Sequence, residues 1–461
     1  MDPLPLLNFF TEHASKQVKN VWPVPGKRPT PSLRSPYVTA AFAKAVDTLT
    51  AVCLSQANKP GQKVALTVTL PPDDRVIITL AENRCGVEDT GEFLQQLWVA
   101  LKSLKSSPGE SAEKSNDIFV IVFRHGVRRL KRRIKPLWED AMKFYAFWQA
   151  STTKSGDENI HGRLTAVFDI LRTLVDNLSE ANTPTRAQIV DIVTQMDVLY
   201  RHCEALANAR ARVKQWCNEY AQASEDAANF PLRQYLRGCL DLYINTMSLI
   251  DLTTNPDFDD MFGRTLHLKS LQPEISPLDY PLDKSYWESY IADILDRCEI
   301  MGTKIPKFQR AMDEEITHAI ATAEKIKSAP LHCELRLLSH HHMSLASPPE
   351  HEVEAETATP PRNYIGTSEP PCYACGVCFH AYREKSPYHM LNNLDRMYTQ
   401  SPILRVDVPW AMPNFGNAQL DRSIHWLVFL TFCLDYAKFI CHQFGLLQLP
   451  HSLETKFKWA Y

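Results

Sequence analysis

The chain has 461 residues, 44% hydrophobic and 22% charged, enough for two or three domains or one enlarged one and for a sizeable buried core. Its 50 Lys and Arg against 53 Asp and Glu leave a formal charge of -3, which excludes a globally basic binder of nucleic acid or anionic membrane and leaves only local patches. No basic segment followed by a long apolar run opens the sequence, and the most apolar late stretch, IHWLVFLTFCLDYAKFI from Ile424, is broken by Asp435 and Lys438, so the expectation is a soluble intracellular protein of cytoplasm or nucleus with no membrane partner.

Residues 1–36 form a Pro-rich N-terminal extension containing most of WPVPGKRPTPSLRSPY. Residues 37–86 follow with a helical pattern from Val38 to Ala57, and then KVALTVTL, PPDD and RVIITLAEN read as strand, tight turn and strand. A Ser/Gly/Lys/Glu-rich loop is expected from Ser103 to Asn116, and IFVIVF, Ile118 to Phe123, reads as a strand-like run. It leads into RHGVRRLKRRIK, with seven Lys or Arg and no acid between Arg124 and Lys135. That run reads first as a solvated helix face, and Arg128, Arg129, Arg132 and Arg133 are also the best candidates for contacting phosphate.

The rest of the stretch 87–325 is expected to be helical, with apolar spacing over Leu164–Leu178, Ala187–Ala227, Leu232–Leu252, Ser285–Ile300 and Phe308–Ile326. Ser347 to Arg362, SPPEHEVEAETATPPR, has the composition of a disordered loop. PILRVDVP is expected to be a late strand and Asp421 to Phe444 the helix after it. The cysteines Cys53, Cys85, Cys203, Cys217, Cys239 and Cys298 are isolated, as buried thiols in a reducing compartment are; only Cys372, Cys375 and Cys378 cluster.

The tripeptide His-Cys-Glu occurs twice. At His202 it lies inside a helical pattern about ten turns long, where positions i and i+2 point roughly 200° apart, so His202 and Glu204 cannot converge on one ligand. That copy reads as structural. At His332 it follows Ala329-Pro330, which disfavours helix, so His332 and Glu334 open a new helix, CELRLLSHHH, whose His340, His341 and His342 are expected at an exposed end. Downstream, RNYIG reads as a short strand, and Pro-Pro stops the chain before CYACGVCF opens another helix.

His-x-Glu at one helix start and Pro-Cys-x-x-Cys at the next is the signature of zinc-dependent deaminases. One imidazole and two thiolates, His332, Cys372 and Cys375, supply three ligands and leave a tetrahedral position open for water, as in a catalytic zinc site. Thiolates at a helix start are stabilised by free backbone N–H groups. Glu334 is free of the metal and is placed to shuttle a proton from water to a departing amine. Cys378, one turn further on, reads as a small core residue.

LHCELRLLSHHH, NYIGTSEPPCYACGVCF and the VPWAMP segment around Trp410 together resemble the OTT-type deaminase-like family, a branch of the cytidine deaminase superfamily frequent in fungi. The resemblance spans about Lys325 to Pro413 and implies an α/β fold: a three-layer α/β/α cytidine deaminase-like domain combined with a large all-helical region, with residues 326–461 as the zinc deaminase-like catalytic region. It also implies that residues 37–86 supply the first helix and two strands of a core split by a helical insertion, 87–325. Asn83, at the end of the second strand, matches loosely the position that holds substrate in the superfamily, and Trp410 is a candidate pocket residue. ILRVDVPWAMP lacks the glycine and histidine that family members tend to carry before Pro-Trp. The function expected is a zinc (Zn2+) hydrolase that deaminates a cytosine or adenine base, in a nucleoside or in single-stranded nucleic acid. The alternative is a catalytically silent zinc protein whose helical region binds a partner. The sequence leaves base, substrate size and oligomeric state open.

Overall fold

In a computed structural model, the chain is described at residues 39–55, 62–83, 87–106, 111–151, 158–180, 184–223, 230–277, 283–298, 300–301, 306–325, 327–346, 362–386, 397–400, 410–444 and 447–448. The Pro-rich extension, the loop expected at 347–362 except its last residue Arg362, and the strand expected at 402–409 lie outside these residues.

Helix α1 (Ala40–Val52) starts at Thr39, whose hydroxyl accepts the Phe42 N–H at 3.1 Å and satisfies one of the free donors of the first turn. The hairpin follows where the alternation and the PPDD turn put it, with β1 (Val64–Thr69) antiparallel to β2 (Arg75–Glu82). Helices α2 (Val87–Ser106), α3 (Ser111–Ile134), α4 (Trp138–Ser151), α5 (Glu158–Glu180), α6 (Arg186–Ala207), α7 (Arg210–Ala223), α8 (Leu232–Thr254) and the short α9 (Asp259–Gly263) come next. Then follow β3 (Thr265–Leu271), β4 (Ile275–Pro277), α10 (Lys284–Arg297), β5 (Ile300–Met301), α11 (Pro306–Lys325) and β6 (Ser328–Pro330). The last elements are α12 (Cys333–Ala346), β7 (Tyr364–Thr367), α13 (Tyr373–Lys385), β8 (Tyr398–Thr399), α14 (Ala418–Phe444) and β9 (Leu447–Gln448).

A mixed five-stranded sheet in the order β3-β2-β1-β7-β8 separates two apolar cores. Both its faces are covered, so β1 is buried at every position, and the two faces are built from different side chains. Val64, Leu66, Val68, Val76, Ile78 and Leu80 point into the core made with α1 to α8. Ala65 and Ala81 belong to the opposite core, and Thr67 meets α12 there. Small residues on that side let α12 lie close across β1, β2 and β7. The architecture is therefore α/β with a large helical region, as expected.

The first helix is locked to β7. Asp47 accepts the Tyr364 hydroxyl at 2.6 Å and the Thr367 N–H at 3.3 Å, and burial pushes its carboxyl up to about 6. Gly366 sits beneath the same helix, where an added Cβ would lie 2.5 Å from Val46 Cγ1 and 2.9 Å from the Val46 carbonyl oxygen. Gly366→Ala must push α1 off the sheet, and a stability loss of about 2–3 kcal/mol is expected in a denaturant titration. An unchanged midpoint would mean that α1 is not seated there.

Several sequence expectations are corrected. IFVIVF is helical, inside α3, with Ile118, Phe119, Val120, Val122 and Phe123 all buried. A run that is apolar on every side reads the same in a buried strand and in a helix packed on several sides, and here the neighbours α2, α6 and α8 decide. The loop expected over Ser103 to Asn116 is narrower, because α2 continues to Ser106 and α3 begins at Ser111. The long helix expected from Ala187 breaks at Asn208, a poor helix former, and the turn brings Trp216 of α7 edge-on to Trp148 of α4 at 5.5 Å.

Thr265 to Leu271, within the stretch expected to be helical, is instead the sheet strand β3, parallel to β2. Leu266 and Leu268 pack on the core while Thr265, His267 and Lys269 are exposed, the period-two pattern of TLHLKSL. Among the described residues no helix is long and apolar enough to cross a membrane.

Candidate metal and catalytic centre

Two helix starts converge below the sheet. The Ala-Pro of β6 ends just before His332, which precedes the first turn of α12, and Cys372 is the N-cap of α13 with Cys375 one turn in. His332 Nδ1 lies 3.2 Å from Cys375 Sγ and 3.7 Å from Cys372 Sγ, and the two sulfurs are 3.5 Å apart. Among the described residues these three form the one His/Cys/Asp/Glu group able to hold a metal ion, and all three are buried.

The separations fit zinc. With zinc–sulfur bonds of about 2.3 Å and zinc–nitrogen bonds of about 2.0–2.1 Å, a tetrahedron has edges of about 3.8 Å between sulfurs and about 3.5 Å between sulfur and nitrogen. The observed edges differ from these by a few tenths of an ångström.

The electrostatics of the cluster follow from its burial and its neighbours. Burial pushes the Cys372 thiol up, but the hydrogen bond with Cys375 and the bond and charge of His332 outweigh it and hold the thiol well below its ordinary range. Burial likewise disfavours charge on His332, and its bond to Cys372 and the nearby negative charges reverse that, raising the imidazole above its usual value. For Cys375, burial and the neighbouring Cys372 both act upward. A thiol held below its ordinary range beside a second thiol and an imidazole suits a divalent cation, which would replace their protons.

Glu334 lies on the first turn of α12 and is 2% exposed. Its Oε2 accepts the Cys333 thiol at 3.1 Å, and its buried Oε1 has no hydrogen-bond partner among the described residues. A buried carboxylate oxygen left bare costs about 1–3 kcal/mol or more, so this atom has an accepting position to offer a ligand or water. Burial pushes its carboxyl up, but the charge of His332, backed by a backbone N–H, the Cys333 thiol and the charge of Lys63, leaves it below its ordinary value. Cys333, the middle residue of His-Cys-Glu, carries no spacing signal of its own in the sequence. Burial and the Glu334 charge keep it protonated, hence a donor that orients Oε2.

The other candidates divide. Asn83 closes the open end of the hairpin: its Oδ1 accepts the Lys63 N–H at 2.7 Å and its own N–H bonds the Lys63 carbonyl at 3.1 Å. One residue earlier, the Glu82 carbonyl accepts Arg336 of α12 at 2.6 Å, so this strand end is tied to the helix that carries Glu334. Trp410 is 1% exposed and its Nε1 donates to Cys375 Sγ at 3.2 Å, which makes it a partner of a candidate ligand. Cys378 is buried and stands outside the group able to hold a metal; burial raises its thiol.

His341 and His342 are not an exposed helix end. The sheet and α13 cover them, with His341 Nε2 at 2.7 Å from Thr67 Oγ1 and His342 Nδ1 at 3.0 Å from the Tyr382 hydroxyl. His202 and Glu204 stay apart from this centre in α6, where exposed Glu204 takes the Tyr200 hydroxyl at 2.5 Å.

The basic run on α3 also separates. Arg129, offered as a phosphate contact, is 4% exposed and is an internal tie, bonded to Asp241 of α8 and to the Ala51 carbonyl of α1. Position 129 falls on the inner stripe of α3 with Gly126, Val127 and Leu130, which composition of the run alone does not reveal. Arg129→Ala is expected to cost about 2 kcal/mol of folding free energy, less than for a sealed pair because Asp241 keeps 38% exposure and can rehydrate. A denaturant midpoint equal to the wild type would refute that tie. Arg128 and Arg132 are exposed, and Arg133 lies 3.7 Å from Glu369, in the loop that delivers Cys372.

Residues 331–414 match the model of a family described as OTT_1508-like deaminase. No curated protein and no solved structure matches the chain.

Proposed function

With residues 331–414 belonging to a cytidine deaminase-like family, we propose that the chain is a zinc-dependent hydrolase that removes the amine from a cytosine or adenine base. The observation that carries this reading is Glu334 Oε1, buried and without a partner beside the His332, Cys372 and Cys375 group. His332 Nδ1 and the two thiolates would hold the ion. When bound, zinc supplies a Lewis acid that lowers the pKa of water toward about 7.

The chain's own residues supply the rest. Glu334 Oε1 takes the proton of the attacking water and returns it to the exocyclic nitrogen, which leaves as ammonia. Cys333 holds Oε2 in one orientation, so the carboxylate presents the same oxygen in both transfers. Burial of the whole cluster keeps bulk water from competing for that proton.

The hairpin β1–β2 and α1 act on this proposal as the first part of the deaminase core, because β1 pairs with β7, the strand before Cys372. Asn83, beside Lys63, is assigned on this proposal to contact the substrate. Arg128, Arg132 and Arg133 are assigned to an approaching single strand, supported by the ion pair from Arg133 to the loop ahead of Cys372.

Zinc content with ammonia release on cytidine, adenosine and single-stranded DNA and RNA tests the reading. One zinc per chain with turnover on one of them is expected. Absence of zinc would overturn it. Neutralising Arg128, Arg132 and Arg133 together should weaken single-strand binding at unchanged zinc content, and unchanged binding would remove nucleic acid from the substrate class.

A further inference from the structure

We propose that Trp410 is a positioning residue whose indole N–H, donated to Cys375 Sγ, weakens that sulfur as a metal donor and so makes the two thiolates of the centre unequal. This rests on the metal reading above and deepens it. Nε1 is 3.2 Å from the sulfur, and both residues are buried, Trp410 at 1% and Cys375 at 0% exposure, so water does not exchange for either partner. An indole N–H is a donor only, so Trp410 cannot itself ligate a cation. What it does is draw electron density from a sulfur lone pair that would otherwise go to the ion.

The donor is held by the elements that deliver the ligands. Phe415, five residues on, stacks on Tyr382 of α13 with ring centres 5.0 Å apart and meets His342 of α12 edge-on at 5.3 Å. Asn414 offers its carbonyl to the Ser339 hydroxyl of α12. The segment carrying Trp410 is thus clamped between α12 and α13, and a shift of either helix moves donor and ligand together. Among the described residues, the side-chain partners of Cys372 are the other candidate ligands, Cys375 and His332, and no indole donates to it. Cys375 is the sulfur with the extra bond. A centre made more electron-poor in this way is a stronger Lewis acid at the same ligand set.

The test uses the full chain loaded with cobalt(II), whose sulfur-to-metal charge-transfer band reports the electron density on the thiolates. Trp410→Phe keeps a ring in the site and removes the N–H. Equal cobalt content and a band displaced to lower energy are expected, since a sulfur relieved of its hydrogen bond gives up an electron more easily. A band at the wild-type position, with cobalt bound, would overturn the proposal and leave the metal reading standing. Wild type that takes up no cobalt would overturn both, and it is read before any variant is made. Where Trp410→Phe does not fold, cadmium-113 in the wild type serves instead: one indole proton among those of the nine tryptophans should show through-bond coupling to the metal across the hydrogen bond. No coupled indole proton would overturn the assignment.

Discussion

Glu334→Gln is expected to retain a full complement of zinc and to release ammonia about 10^3-fold more slowly than the wild type. Glutamine has nearly the shape of glutamate, so the first turn of α12 and the cover over the cluster should persist. It cannot accept a proton, and the proposed reaction needs one taken from water and one returned to the leaving nitrogen. Glu334 stands outside the ligand group of His332, Cys372 and Cys375, which is why metal content should hold. The comparison separates two roles for a buried carboxylate with a bare oxygen. Retained turnover would assign the proton transfer elsewhere, and loss of zinc would make Glu334 a ligand. Cys333→Ala should have a smaller effect of the same kind, since it frees Oε2 without removing the base.

Cys372→Ser is expected to lose the metal. Binding free energies of about 10–16 kcal/mol for zinc held by three or four side chains come to roughly 3–4 kcal/mol per ligand, so one missing thiolate costs about 10^2 to 10^3 in affinity. Serine is further handicapped because a hydroxyl gives up its proton far less readily than a thiol, whereas Cys375 and His332 hold the Cys372 thiol well below its ordinary range. The check is metal analysis after dialysis, together with the melting temperature with and without a chelator. Wild type should melt lower once chelated, because an ion bound only to the folded chain adds its binding energy to stability, whereas Cys372→Ser should not respond. Zinc retained in Cys372→Ser and lost in Cys378→Ser would show the ligand set to be shifted by one helical turn.

Much of the candidate centre was legible because it is built from local signals. A proline before each helix start, a His-x-Glu and a Cys-x-x-Cys place His332, Glu334, Cys372 and Cys375 at the N-terminal ends of α12 and α13, and helix starts depend on only a few neighbouring residues. What periodicity could not reveal was which faces become covered. Three consecutive histidines look like a polar helix end until Thr67 and Tyr382 arrive from distant parts of the chain. Arg129 looks like its neighbours until α8 supplies Asp241. The role of Cys333 was hidden for another reason, since a thiol that bonds the side chain next to it carries no spacing signature.

The strand TLHLKSL was legible in principle. Its first five residues alternate polar and apolar, and that short signal was overshadowed by long helical patterns on either side. Likewise IFVIVF has β-branched residues enough for a strand, and only the packing of α3 among α2, α6 and α8 makes it helical.

The pairing of β1 with β7 sets the order in which this protein can be finished on the ribosome. Val64 bonds Ser368, 304 positions later, so at about 5–20 residues per second the first hairpin waits roughly 15–60 s for that partner. Its β1 edge stays open throughout, an invitation to foreign strands, while β3 on the far side can close much earlier. Expression of residues 331–414 alone would omit β1, β2 and α1, and with them much of the sheet against which α12 is packed. A chain stopped short of Ser368 would likewise present a half-built sheet, to be held by chaperones or cleared by proteases until β7 emerges.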